Sequence, residues 1–67
     1  MVKCNFAELL ATKKLKISDV VRDTGINRKT ATRLFHETNS RIDYETLEKV
    51  CRYLDCEIGD LLVLEDD

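Results

Sequence analysis

The sequence predicts an all-α domain of five short helices, with terminal segments able to pair as two short strands. Three observations carry this: apolar residues recur at spacings of three and four along the chain, proline is absent, and there are only two glycines. Asn5 precedes Glu8 by three positions, a cap with a capping-box-like partner, and Phe6, Leu9 and Leu10 follow at helical spacing. A first helix is expected over residues 6–14. Ile17, Val20 and Val21 form the next apolar stripe, with Lys16 or Ser18 near its start, and Gly25 supplies the residue that tolerates positive φ in the turn beyond it. Asn27 is placed to cap a third helix over 28–37, because its side chain can accept from the amide of Lys29 or Thr30, while Ala31, Leu34 and Phe35 share one face. Asp43 caps a fourth helix over 44–54, with Leu47, Val50, Cys51 and Leu54 inside and Glu45 and Lys49 as an i, i+4 pair outside. Ile58, Leu61 and Leu62 predict a fifth, short helix over 57–63. Residues 1–4 and 63–65 are β-tolerant, and can pair within one chain or between two.

A chain of 67 residues makes one domain, spanning 1–67, whose core is worth only about 3–5 kcal/mol. It leaves no room for a catalytic cleft. No apolar run approaches the roughly 18 residues that cross a bilayer, and the N-terminal segment lacks the basic, apolar and small-residue order of a secretory signal, so no membrane partner and a cytoplasmic location are expected. Cys4, Cys51 and Cys56 are odd in number, and with His36 as the single histidine they show neither a disulfide framework nor zinc spacing. Cys51 and Cys56 continue an apolar pattern and read as small hydrophobes. His36 reads as a surface or capping residue, and Tyr44 and Tyr53 as packing residues or interface anchors. No nucleophile, base and orienting group come together, so no enzyme, cofactor, metal or small-molecule ligand is expected.

The formal net charge of −2 argues at first sight against a nucleic-acid partner, but the charges are unevenly placed. Between residues 13 and 41 eight bases stand against three acids; from 42 to 67 two bases stand against nine acids. The middle is basic and the end acidic. Two short helices joined through Gly25 make a helix-turn-helix pattern, and with Ala31, Leu34 and Phe35 inside, the third helix leaves Asn27, Arg28, Lys29, Thr32 and Arg33 outside. Those residue types suit base contact: Arg offers two donors to guanine, Asn pairs with adenine, and the Thr methyl can touch thymine. The stretch 24–35 holds no acid, and the helix N-terminus adds amides and positive dipole where phosphates approach.

In LLATKKLKISDVVRDTGINRKTATRL, IDYETLEKVCRYLDC and IGDLL, in this order and at these intervals, the chain resembles the phage lambda-repressor and Cro-like helix-turn-helix regulators, also called the xenobiotic-response-element type. The resemblance covers essentially the whole chain. It implies a five-helix domain whose third helix reads the major groove of double-stranded DNA, usually as a homodimer on a palindromic or repeated operator, acting most often as a repressor. Carried across by position, Asn27, Arg28, Lys29 and Arg33 match base-reading sites, with Thr32 beside them. Thr30, Asn39, Ser40 and Arg41 match phosphate contacts, and Lys16 and Ser18 stand where the second helix would meet a phosphate. Ile17 departs from the glutamine usual there, and can neither bind phosphate nor brace a reading side chain.

The apolar run Leu61, Leu62, Val63 and Leu64 is longer than one short helix buries on one side, which marks these four as a dimer interface. A reading of a different class also fits the charge pattern: a protein-interaction module of antitoxin or anti-repressor type, using the acidic half.

One further departure gives a test. The family usually has Ala where this chain has Val21 and a branched residue where it has Ala31, a volume-conserving exchange where helices two and three cross. Val21→Ala alone should lower the melting temperature, and adding Ala31→Ile should recover most of the loss; effects that simply add would contradict the exchange.

Overall fold

The computed structural model describes residues 1–38 and 41–65. Along the chain run β1 (Val2–Cys4), α1 (Phe6–Thr12), α2 (Ile17–Thr24), α3 (Arg28–His36), α4 (Tyr44–Leu54), α5 (Ile58–Leu61) and β2 (Leu62–Leu64). All five expected helices are present. The terminal segments pair within the chain, as an antiparallel ribbon with Val2 opposite Leu64, Lys3 opposite Val63 and Cys4 opposite Leu62. α2 packs against α3 and α4, and α1 against α3. Phe6, Leu10, Val20, Leu34, Val50, Leu54 and Leu61 are fully buried between these elements, so every helix contributes at least one side chain to a shared core.

The helices end by a common device. After α1, α3 and α4 the chain turns through Lys14, Glu37 and Asp55, each at a φ between 53° and 57°, in the left-handed region. In each case the next residue closes a wide turn onto the helix: Leu15 N–H donates to the Leu10 carbonyl at 2.9 Å, Thr38 N–H to Arg33 at 3.0 Å, and Cys56 N–H to Cys51 at 3.0 Å. α2 alone turns on a glycine, Gly25 at φ 76°. The expected ends at Lys14 and Glu37 are therefore too long, because both residues have already left helical geometry. The same turn explains Cys51 and Cys56, which occupy the two positions that meet across it as an apolar contact. Burial and the neighbouring Cys51 thiol push the Cys56 thiol up to about 11, so Cys56 stays protonated near neutrality and packs as a small hydrophobe.

Three other expectations need correction. Asn5 does not cap α1: its backbone N–H donates to the Leu61 carbonyl at 2.7 Å and its side-chain amide to the Asp60 carbonyl at 3.2 Å, so it ties the start of α1 to α5. The fifth helix stops at Leu61, because β1 recruits residues 62–64 as a partner strand. That places Leu61 fully in the core rather than on an interface. Of the four residues expected to join two copies, Leu62 and Val63 are half-buried and Leu64 is 83% exposed.

Two contacts fix the helices that flank the turn at Gly25. The Tyr53 hydroxyl on α4 donates to Asp23 at 2.6 Å, and Arg22 holds the same carboxylate at 3.0 Å, bracing α2 against α4. The Arg22 hydrogen bond, then that of Tyr53, keeps the Asp23 carboxyl below its ordinary range, and donating to that carboxylate raises the Tyr53 phenol. Beyond α3, Glu37 Oε1 accepts the Cys4 N–H of β1 at 2.9 Å. This bond satisfies an amide on the outer edge of the ribbon.

Glu37 and Lys14 share a strained backbone geometry, but only Glu37 uses its side chain across the fold. Lys14→Gly should relieve about 1 kcal/mol of left-handed strain and raise the melting temperature by several degrees. Glu37→Gly should bring no such gain, since it strands the Cys4 amide at a cost of about 1–3 kcal/mol. Thermal unfolding followed by circular dichroism checks both; equal stabilisation by the two would contradict the role given to Glu37.

Candidate nucleic-acid interface

Asn27 starts α3 as the sequence predicts. Its backbone is extended, at φ −64° and ψ 135°, and its side-chain oxygen accepts the Lys29 N–H at 2.8 Å. That bond has a consequence for recognition. Pairing with an adenine needs both the oxygen and the amide nitrogen of Asn27, and one of the oxygen's two lone pairs is already engaged in the cap. The amide nitrogen remains able to donate.

Ala31 has no exposure and Leu34 only 1%, so the inner side of α3 is locked and its outer side is determined. Asn27, Arg28, Lys29, Thr32 and Arg33 line one shallow, open hollow on that outer side. The five residues expected to face bases are thus brought together on a single surface. Thr32 is half-buried at its margin and the other four are exposed.

The electrostatics separate this surface from the cations of α2 and α4. On α2, Arg22 bridges Asp19 at 3.2 Å as well as Asp23; on α4, Lys49 bridges Glu45 and Arg52 bridges Glu48, each at 3.1 Å. Among the described residues no ion pair involves Arg28, Lys29 or Arg33. Three uncompensated cations on little more than one turn repel one another, and a phosphate backbone relieves that repulsion. The first amides of α3 point toward the same end.

The residues expected to touch phosphate are more scattered. Lys16 lies just before α2 and Ser18 in its first turn, both exposed. Thr30 is half-buried on α3, and Arg41 is exposed before α4. Asn39 and Ser40 lie outside the described residues. The start of α2 is stabilised by Asp19, whose carboxylate accepts the Lys16 N–H at 2.9 Å. Lys16 has no side-chain acceptor to return the bond, so its ammonium stays available to an anion. Ile17 packs partly against the core. An apolar anchor thus holds the helix start where a polar phosphate ligand was missing.

Sequence reasoning did not single out Glu37 or Asp23, which position α3 and α2. Their partners, Cys4 and Tyr53, lie 33 and 30 residues away, so neither leaves a local pattern. His36 is exposed, with its ring edge-on to Phe35 at 5.2 Å between centroids. Among the described residues no three His, Cys, Asp or Glu side chains gather as metal ligands, and no helix is long and apolar enough to cross a membrane.

Comparison with curated proteins gives no match. The family described as the Cro/C1-type HTH DNA-binding domain matches residues 5–67, from the first residue before α1 through the end of the chain. With two helices joined through Gly25 and an uncompensated basic face on the second of them, the chain belongs to the Cro/C1-type helix-turn-helix DNA-binding family.

Proposed function

We propose that this protein is a sequence-specific transcriptional regulator, a repressor that acts by occupying its operator with α3 in the major groove. The convergence of Arg28, Lys29 and Arg33 with Asn27 and Thr32 on one exposed face, with no ion pair to an acid among the described residues, carries the proposal. Arg28 and Arg33 supply two-donor contacts to guanine, Lys29 meets a guanine edge or a phosphate, and Thr32 offers a methyl to thymine. Lys16, Ser18, Thr30, Asn39, Ser40 and Arg41 set the register by holding the phosphates.

The same proposal includes a homodimer. Met1, Val2 and Leu64 are 79%, 62% and 83% exposed, and Val2 lies directly opposite Leu64 on one face of the ribbon. An apolar patch of this kind on so small a protein favours pairing with a second copy. Two copies would present two reading helices about 34 Å apart, one turn of duplex.

Selection of bound duplexes from a random library tests the proposal. An inverted repeat with half-sites about one turn apart is expected, and recovery of no common sequence contradicts it. On the selected duplex, Arg28→Ala should cost about 1–3 kcal/mol and relax preference at one base pair per half-site, with the melting temperature unchanged. An unaltered preference would exclude Arg28 as a reader.

A further inference from the structure

The side of the molecule built by α4 and α5 carries a second concave surface, which shares no residue with the basic hollow on α3. It follows the stripe of α4 that begins at Tyr44 and continues through Leu47 and Cys51, and it is closed on the far side by Ile58 of α5. Leu47 and Cys51 form a nearly buried floor, whereas Tyr44 is 89% exposed and Ile58 56% exposed at the rim. A large aromatic and a branched aliphatic side chain flank an apolar floor and stand outside the core cluster of the described residues. Residues of these types anchor protein interfaces.

The rim also has a sign. Glu48, Asp55, Glu57 and Asp60 line the groove against one base, Arg52, which is already bridged to Glu48 at 3.1 Å. A duplex would be repelled here, so the groove is not a second nucleic-acid site. A second copy of the chain would bring the same acids across a two-fold axis, against their own kind. A cationic partner meets neither objection. The stripe spans the eleven residues of α4, about 16 Å, which is the length of three helical turns.

We propose that the α4–α5 groove is a docking site for a basic amphipathic helix of another protein, whose apolar side chains at i, i+3/4 and i+7 lie between Tyr44 and Ile58 while its lysines or arginines face Asp55, Glu57 and Asp60. Charge complementarity and the helix-in-groove geometry define this partner. The protein would then hold an acidic duplex on one surface and a basic polypeptide on another.

The probe is an 18-residue peptide with leucine at helical spacing and lysine elsewhere, compared with a scrambled peptide of the same composition and with its glutamate-for-lysine counterpart. Backbone amide shifts of the full chain should move on α4 and α5 with the first peptide and with neither control. Ile58→Ser should weaken binding roughly fivefold or more, and Glu48→Gln about two- to fivefold. Glu45→Gln removes the same charge from the same helix outside the groove, and should leave binding unchanged. Circular dichroism and binding to the selected duplex confirm that each variant is folded. Equal binding of the scrambled peptide, equal effects of Glu48→Gln and Glu45→Gln, or shifts confined to α3 would overturn the proposal. Self-association of the protein alone that Ile58→Ser abolishes would assign the groove to a second copy and overturn it as well.

Discussion

The basic outer surface of α3 depends on the burial of Ala31 and Leu34, which leave the inner side of α3 no solvent and its outer side no choice. A helix of nine residues is too short to persist alone, so the orientation of α3 is set by packing against α2 and α1. The alanine at position 31 lets α2 approach closely, and Val20 and Ile26 fill the space on either side of the turn at Gly25. Outward presentation of Arg28, Lys29 and Arg33 is thus a consequence of what is buried beneath them. In a protein with so few fully buried side chains, loss of any one would disturb recognition along with stability.

Around that core the chain economises on ordered length by turning sharply at each helix end. Three of the four longer helices stop at left-handed residues that are not glycine, and the strain is offset in two ways. At Lys14 and Asp55 the following residue, Leu15 or Cys56, gains apolar packing across the turn; at Glu37 the side chain reaches β1. The ends of the chain are joined through Asn5, Leu61 and the ribbon. α3 is therefore held at its start by the Asn27 cap and at its end by the terminal strand.

Features that rest on neighbours in sequence were legible from the residues: the caps at Asn27 and Asp43, the bounds of α4, the glycine turn and the basic face between Asn27 and Arg33. Features decided by distant partners were not. Asn5 has the sequence signature of a cap, yet its amide is claimed by Asp60, 55 residues on. Leu62 and Val63 read as the end of a helix, although residues 63–65 also read as β-tolerant; β1, at the other end of the chain, makes 62–64 a strand. The same pairing drew Leu61 into the core. Lys14 and Glu37 carry no local warning of a left-handed turn, since both are ordinary helix formers.

Charge partition completes the account. Cations on α2 and α4 are tied to acids on their own helices, and those on α3 are not, so a chain with a net charge of −2 still has one surface on which a polyanion can rest. The measurement that tests this most directly is a backbone amide titration of the intact protein with a selected duplex at two salt concentrations. The account predicts shifts at Asn27, Arg28, Lys29, Thr32 and Arg33 that weaken steeply as salt rises. Shifts centred on α4 and α5, with the α3 amides unmoved, would contradict it.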